Sequence, residues 1–387
     1  MRVICAPDSF KESLSAIEAA EAMKRGVLAA VSDAVVDPCP IADGGEGTVQ
    51  AMLAATCGRE EIAQVRGPLG EPVAARWGLL GASGRQPLTA VMEMAAASGI
   101  ALVPADQRDV ARTSTYGTGQ LIGAALDAGA ERIIMGIGGS ATNDGGCGAA
   151  QAVGVRFYNR DGTLIEEPIV GAMLQQITRF DLDALDQRLE KVDLIVACDV
   201  NNPLTGPSGA AAVYGPQKGA SITQVESLDK GLTHLASIAH RKLGADVADL
   251  PGAGAAGGLG YGAMVFLDGQ LRRGVEMVLE AVQFHQRVKA CDLCLTGEGK
   301  FDGQTLSGKA IEGVAGVAQA AGVPIIALVG AIGPGSQRGR EIGISKIQEI
   351  GQGLTHQQSM SQAAELLEAG AGHVVKQFLD SSGCPSG

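Results

Sequence analysis

The chain has 387 residues, of which 46% are hydrophobic, and this length and apolar content favour two folded domains over a disordered chain. The formal net charge of −12 excludes a surface that attracts nucleic acid or anionic lipid, so we expect neither partner. Aromatic residues make up 3% of the chain whereas glycine occurs 56 times, which is typical of an α/β protein with many tight turns.

The two ends of the chain share a pattern in which short apolar strands alternate with helices. Strands are expected at 2–7, 292–295, 324–329 and 344–350, and helices at 13–30, 309–321 and 360–378. Because strands that alternate with helices form parallel sheets, we predict a discontinuous Rossmann-like domain from both chain ends, residues 1–65 and 288–387.

The middle of the chain, residues 66–287, has a different texture and is predicted to be an inserted second α/β domain. Its expected strands are 73–80, 90–94, 132–137 and 194–197, and its expected helices are 118–128 and 223–243. The glycine and alanine run 251–260 predicts close backbone packing or a ligand-lined turn, because its small residues are apolar and unlike those of a flexible linker.

The cellular location is read from the start of the chain and from its cysteines. The first residues enter an apolar strand without a signal-peptide core, and no apolar run approaches the ~20 residues of a membrane span, so we expect a cytoplasmic protein. Eight dispersed cysteines fit reduced core thiols better than disulfides. Cys291 and Cys294 form a single C-x-x-C, and the histidines lack zinc-helix spacing, so zinc is not expected.

Three blocks combine glycine with acidic residues, at 42–48, 136–146 and 296–302. Glycine allows consecutive backbone N–H groups to turn toward an anion, and carboxylates supply the oxygen ligands that Mg²⁺ prefers. Phosphoryl transfer is therefore the first functional hypothesis.

The turns after the first two predicted strands carry candidate ligands. Asp8 and Lys11 open the first helix, where ligands bind at the carboxyl ends of strands. Asp43 and Glu46 follow the next strand and are candidate metal ligands together with Asp8. The alternative is that Asp8 caps the helix, Lys11 is solvated and Glu46 only favours the next helix start.

The block 136–146 contains neither a Walker A motif nor a dinucleotide fingerprint. Its glycines and its hydroxyl and amide side chains nevertheless favour a cradle for a nucleotide or phosphate. The candidate residues are Gly138, Gly139, Ser140, Thr142 and Asn143. A later loop offers Lys218 to a phosphate or carboxylate, although a surface lysine without a ligand would look the same.

Asp199 follows the buried strand 194–197, where we expect partial burial to raise its proton affinity. Such a carboxylate suits a general base that deprotonates a substrate hydroxyl, and an Asx-turn before Pro203 is the alternative.

The third block, 296–302, is expected to be a loop between a strand and a helix. Glu298 and Asp302 are candidate metal ligands, and Lys300 is a candidate cation for developing phosphoryl charge. A solvated, charge-balanced loop is the alternative.

Seven segments of the chain resemble the type-1 glycerate kinase family, and they occur in the family's order. They are 6–16, 42–48, 136–146, 196–200, 215–220, 251–260 and 296–309. The resemblance covers residues 1 to about 375. It implies a kinase that uses ATP and Mg²⁺ to phosphorylate D-glycerate, with 2-phosphoglycerate as the expected product, and an active site between a Rossmann-like domain and an inserted domain.

Combined with the resemblance, the residues receive specific roles. Lys11 or Lys300 would hold the glycerate carboxylate, Asp199 would deprotonate the 2-hydroxyl, and ATP would lie along 136–146. Mg²⁺ would be held by some of Asp8, Asp43, Glu46, Glu298 and Asp302, and which of these bind it stays open. Lys300 stands where the family leads us to expect arginine, and lysine lacks the bidentate geometry of a guanidinium.

Two other functions compete with this hypothesis. A nucleotide-dependent dehydrogenase of small hydroxy acids would also use a Rossmann-like domain, although no G-x-G-x-x-G joins the first strand to the first helix. A non-catalytic anion-binding sensor is the other. The sequence also leaves open the phosphorylated hydroxyl, the preference for glycerate over related acids, and whether the chain forms a homodimer.

Overall fold

The computed structural model describes residues 1–45, 47–81, 87–302 and 310–382. The strands are, in chain order, β1 (Arg2–Cys5), β2 (Val35–Pro38), β3 (Arg59–Arg66), β4 (Pro72–Leu79), β5 (Thr89–Glu93), β6 (Arg132–Gly136), β7 (Arg156–Tyr158), β8 (Arg179–Asp181), β9 (Asp193–Ala197), β10 (Gln270–Arg272), β11 (Leu293–Phe301), β12 (Ile325–Ile332) and β13 (Lys346–Glu349). The α-helices are α1 (Ala16–Ala30), α2 (Thr48–Thr56), α3 (Ala95–Ser98), α4 (Tyr116–Asp127), α5 (Cys147–Ala152), α6 (Ala210–Tyr214), α7 (Ile222–Leu243), α8 (Ala255–Phe266), α9 (Gly274–Ala281), α10 (Phe284–Val288), α11 (Ala310–Ala320), α12 (His356–Ser361) and α13 (Ala363–Ser382).

The chain divides into two compact units. Unit 1 comprises Met1–Asp43, Gln50–Cys57 and Val275–Gly387, and unit 2 comprises Gly44–Val49 and Gly58–Gly274. Strand β3 lies in unit 2 because it pairs along its whole length with β4. The junctions expected near residues 65 and 288 differ from these bounds, and the domain boundaries themselves stay a prediction.

Unit 1 is built on a parallel sheet with the strand order β13-β12-β11-β1-β2 among the described residues. The sheet therefore takes strands from both chain ends, which confirms the α/β class and the predicted parallel sheet. Helix α1 begins at Ala16 because Ser15 and Glu18 form a capping box. It packs against α13 at Gly26, where a Cβ would lie 2.0 Å from the carbonyl oxygen of Glu368.

Strand β11 corrects the expectation of a loop at 296–302. It continues to Phe301 and pairs with β12 from Cys294 onward. A Cβ on Gly297 would lie 2.2 Å from the carbonyl oxygen of Leu328, so that glycine permits close contact between neighbouring strands. The glycines that suggested a turn therefore belong to a strand.

Unit 2 contains a sheet with the strand order β10-β9-β6-β5-β4-β3 in the described residues. Neighbouring strands from β10 to β5 are parallel, whereas β4 and β3 are antiparallel. The core includes a cluster of Phe157, Phe180 and Phe266, in which Phe266 meets the other two rings edge-on. The sequence did not predict β3, β10 or the antiparallel pair β7 and β8.

The glycine and alanine run 251–260 leads into α8 and packs closely, as expected. Gly257 has φ +69°, and a Cβ there would lie 2.0 Å from the carbonyl oxygen of Thr142. Gly145 donates a backbone hydrogen bond of 3.0 Å to the carbonyl oxygen of Gly257. The run therefore packs directly against the backbone of the glycine-rich block 136–146.

Candidate active site

The first group of candidate residues lines one cavity in unit 1. The cavity has a volume of about 510 Å³, within the usual range for small-molecule sites. Its lining includes Asp8, Lys11, Asp43, Glu298, Lys300 and Asp302. The sequence-predicted residues of this unit thus come together, and Glu46, the other candidate metal ligand, lies outside the described residues.

Asp8 is placed by the main chain at the carboxyl end of β1. Its N–H donates a 2.9 Å hydrogen bond to the carbonyl oxygen of Gly297, and its own carboxylate accepts a 2.6 Å bond from the Ser9 N–H. The pKa of Asp8 is raised to about 6, first by burial and then by the negative charge of Asp43, against the opposing effects of Ser9 and Lys11. Asp8 and Asp43 therefore form a pair of carboxylates that repel each other.

Lys11 lies exposed in a tight turn after β1. Phe10 and Leu14 exchange backbone hydrogen bonds of 2.8 and 2.9 Å, and the Phe10 side chain is buried. Within this turn Glu12 has φ +64°, a conformation that a residue with a Cβ rarely adopts. The turn holds the backbone of Lys11 at the cavity while its side chain reaches solvent.

Lys300 and Asp302 form an ion pair of 3.1 Å at the end of β11. The Lys300 side chain is 63% exposed, so this pair is solvated. Glu298, also on β11, is buried, and its backbone pairs with Val329.

The sequence analysis missed the contribution of α12 to the cavity, which includes His356, Ser359 and Met360. One signal was available. The predicted strand at 344–350 ends shortly before them, and the carboxyl ends of parallel strands share one edge of a sheet.

The described residues contain no group of three or more His, Cys, Asp or Glu side chains arranged to hold a metal ion. Every cysteine in the same part of the chain is free; Cys5 and Cys294 are buried, as core thiols should be, whereas Cys57 is exposed.

The second group of candidates lies in unit 2, in the glycine-rich loop 136–146 that follows β6. Gly138 and Gly139 are exposed, and Gly139 has φ +71°. Ser140, Thr142 and Asn143 are buried. The loop therefore exposes backbone and turns its polar side chains into the protein.

Lys218 is also buried, which excludes the alternative of a solvated surface lysine. Its ammonium donates hydrogen bonds of 2.7 Å to the Ser140 hydroxyl and 2.8 Å to the Thr142 carbonyl oxygen. Burial lowers the pKa of Lys218 to about 7, and the negative charge of Asp144 opposes this shift.

Asp144 is the buried carboxylate of the same loop. It accepts hydrogen bonds of 2.8 and 2.7 Å from the backbone N–H and hydroxyl of Thr115, and further bonds from the N–H groups of Gly146 and Gly148. Burial raises the pKa of Asp144, and these bonds oppose the shift. The side-chain amide of Asn143, next to it, is buried and has no hydrogen-bond partner within the described residues.

Asp199 corrects the expectation of partial burial. Its side chain is exposed because β9 ends at Ala197, and it accepts a 3.0 Å hydrogen bond from the Gly274 N–H. A Cβ on Gly44 would lie 3.5 Å from its carboxylate oxygen. Gly44 of the 42–48 block therefore lies close to the Asp199 carboxylate.

The comparisons with known proteins agree with this architecture. A sequence profile of the glycerate kinase family matches residues 3–379. The chain belongs to the glycerate kinase family. It is 51% identical to the "Glycerate kinase" of Bacillus subtilis (strain 168), over 95% of each chain, and 48% identical to the "Glycerate 2-kinase" of Escherichia coli (strain K12), over 86% of each chain.

A solved structure shares the fold of this glycerate kinase family member. The crystal structure of "putative glycerate kinase 2" from Salmonella typhimurium LT2 superposes with a TM-score of 0.88 at 43% identity, and the match covers 100% of both chains. The comparisons support neither the dehydrogenase nor the sensor hypothesis. Within the described residues, none of the helices has the length and apolar character that crossing a membrane needs.

Proposed function

We propose that the protein transfers the γ-phosphoryl group of ATP to the 2-hydroxyl of D-glycerate, releasing ADP and 2-phosphoglycerate. The observation that carries this proposal is the 48% identity to a glycerate 2-kinase over 86% of both chains. In the reaction the glycerate oxygen bonds to the γ-phosphorus, the bond from that phosphorus to the bridging oxygen of ADP breaks, and the hydroxyl proton passes to a base.

The cavity of unit 1 supplies cations for the substrate carboxylate. Lys11 and Lys300 both line it, and ammonium groups bind carboxylates as point charges. Lys300 also pairs with Asp302 at 3.1 Å, so its charge is shared with that carboxylate. We therefore assign the larger part of the carboxylate contact to Lys11 and the smaller part to Lys300.

Asp8 and Asp43 fit a divalent cation, because the like charge of Asp43 raises the pKa of Asp8 and a cation would relieve that repulsion. Mg²⁺ commonly takes one or two protein carboxylates together with substrate phosphates and water. Glu298 and Asp302 line the same cavity and remain candidate ligands. When bound, Mg²⁺ would neutralise phosphate charge.

Unit 2 supplies the base and the nucleotide-binding loop. Asp199 is exposed at the end of β9, and we assign it the proton of the 2-hydroxyl. The exposed glycines Gly138 and Gly139 suit backbone N–H contacts to phosphate, since neither has a side chain to obstruct them. Ser140, Thr142 and Asn143 would then contribute mainly through the backbone, because their side chains are buried.

Phosphorus NMR of the product tests this function. With D-glycerate, ATP and Mg²⁺, we expect ADP and 2-phosphoglycerate, no turnover after chelation of Mg²⁺, and much slower turnover of L-glycerate. Formation of 3-phosphoglycerate would overturn the regiochemistry. Equal ATP hydrolysis with and without glycerate would overturn the kinase assignment itself.

A cytoplasmic location and a homodimer rest on sequence reasoning alone. Both stay predictions, and gel filtration with light scattering distinguishes a monomer from a dimer.

A further inference from the structure

The side chain of Lys218 is only 4% exposed, at the end of the short 3₁₀ helix Pro216–Lys218. Lysine is almost never fully buried without partners, because removing an ammonium from water is costly. Here the partners are the Ser140 hydroxyl at 2.7 Å and the Thr142 carbonyl oxygen at 2.8 Å. Both partners belong to the loop 136–146, and in the sequence they precede Lys218 by 78 and 76 residues, respectively.

We propose that Lys218 is the positioning residue of the glycine-rich loop, and that its ammonium fixes the loop through Ser140 and Thr142 instead of touching the nucleotide. This inference rests on the proposed function, in which the loop binds ATP. Lys218 would raise the affinity for ATP by fixing the conformation of the loop already in the unliganded protein.

The loop is held from two sides. On one side, the Ile100 N–H donates a 2.8 Å bond to the Gly139 carbonyl oxygen, and the Ala141 N–H donates a 2.9 Å bond to Ser98. On the other side, the Lys218 ammonium donates hydrogen bonds to Ser140 and Thr142 of the loop. Only Gly138 and Gly139 remain exposed in the segment from Gly136 to Gly146.

The support from the Lys218 side is itself anchored. Gly219, the next residue, has φ +94°, and a Cβ there would lie 2.2 Å from the carbonyl oxygen of Arg108. The Lys218 N–H donates a 3.0 Å bond to Gly215. The ammonium therefore extends from a backbone segment that has little freedom to move.

The same burial argues against direct contact with the nucleotide. Two ammonium N–H groups already have acceptors inside the protein, and a phosphate would have to displace one of them or enter a region closed to solvent. The negative charge of Asp144 acts on Lys218 from the same loop, but it only partly opposes the effect of burial on the pKa of the lysine.

The variant Lys218→Met tests the proposal, with Lys230→Met as the matched control because Lys230 is an exposed lysine of α7. We expect KM for ATP to rise about tenfold or more, since hydrogen bonds to a charged group are lost, while KM for glycerate stays within about twofold. Hydrogen exchange of the peptide containing 136–146 should accelerate without any ligand. Lys230→Met should change neither quantity.

A double-mutant cycle with Ser140→Ala separates positioning from direct contact. If Lys218 acts through Ser140, the double variant should have nearly the ATP affinity of Lys218→Met alone. The proposal would be overturned if the losses of ATP affinity in the two single variants multiplied in the double variant. It would also be overturned if Lys218→Met raised KM for ATP without changing the hydrogen exchange of the unliganded loop. If Lys218→Met does not fold, Ser140→Ala alone must accelerate loop exchange, and an unchanged rate refutes the proposal.

The unliganded exchange measurement also keeps this inference separate from the proposed function. A wild-type protein that does not phosphorylate glycerate refutes the function, whereas the exchange rate of its loop in Lys218→Met still tests the positioning role. Conversely, an active kinase whose loop exchanges equally in both proteins refutes only the role of Lys218.

Discussion

Two regions of the molecule use the same residue types in opposite ways. In unit 1, Asp8 and Lys11 line a cavity. In unit 2, Asp144 and Lys218 are buried beneath a loop whose exposed part is glycine. This difference leads us to expect two roles for charged residues near glycine-rich segments, one in contact with the ligand and one in support of the backbone that binds it.

The hydrogen bonds and neighbouring charges of the two aspartates illustrate this contrast. Burial raises the pKa of both Asp8 and Asp144. Asp144 accepts hydrogen bonds from Thr115, Gly146 and Gly148, whereas Asp8 accepts one from the Ser9 N–H and feels the negative charge of Asp43. A buried carboxylate with several internal donors is structural, while one that faces a like charge is suited to a cation or proton.

The largest effect is expected at Asp199, the exposed side chain of unit 2 that we propose as the general base. Asp199→Asn should lower kcat by roughly 10²- to 10⁴-fold, because the amide cannot accept the hydroxyl proton. Steady-state kinetics with D-glycerate and ATP measure this.

Asp193→Asn is the matched control, since Asp193 lies at the start of the same strand and is 59% exposed beside Arg132. It should change kcat by less than about twofold. A near-normal kcat in Asp199→Asn would reject the assignment of the base and leave unit 2 with a purely backbone role.

An intermediate effect, on the free energy of unfolding, is expected at Gly257, which packs against the glycine-rich loop 136–146. Gly257→Ala should cost about 2 to 5 kcal/mol of unfolding free energy, since it combines a positive φ with a Cβ 2.0 Å from the Thr142 carbonyl oxygen. Urea denaturation measures the change.

Gly162→Ala isolates the conformational part of this cost, because Gly162 has φ +76° but nothing within 4 Å of its Cβ position. It should cost about 1 to 2 kcal/mol. Equal losses in the two variants would show that the loop does not depend on close packing against α8.

The smallest effect is a gain in stability at Asp8. The pKa of Asp8 rises from 3.8 to about 6 on folding, so between these pH values the folded state binds more protons than the unfolded state. The contribution of Asp8 to stability therefore falls as pH rises through this window. Asp8→Asn should be about 1 to 2 kcal/mol more stable than wild type at pH 7.5 and similar at pH 4, while losing activity.

Urea denaturation at both pH values measures this difference, and Asp33→Asn, an exposed aspartate of unit 1, serves as control. A lower stability of Asp8→Asn at pH 7.5 would contradict the idea that the ionised Asp8 carboxylate destabilises the folded state. Asp8 would then resemble Asp144 of unit 2, whose carboxylate accepts several internal hydrogen bonds.

Local patterns predicted much of the secondary structure and missed some of its ends. The helix expected at 13–30 is present, but it begins at Ala16 because the Ser15 side chain caps it. The helix expected at 360–378 is α13, which begins at Ala363 after a separate short α12. In β11, strand pairing with β12 overrode the turn that its glycines suggested.

The candidate site was predicted unevenly. The residues after β1 and β2 were found because ends of parallel strands meet at one sheet edge. His356 was missed although the predicted strand 344–350 ends shortly before it, because that strand end was not followed to the helix that comes after it. The burial of Asp199 was expected wrongly, since a buried strand does not determine the exposure of the residues that follow it.

The sequence by itself determined the α/β class, the parallel sheet from both chain ends and membership of the glycerate kinase family, because these depend on periodicity and on motifs that are local in the chain. Only the tertiary structure decided which polar side chains reach a cavity and which are buried. Lys218 and Ser140 are 78 residues apart, and their contact follows from how the chain packs, a property that no local pattern contains.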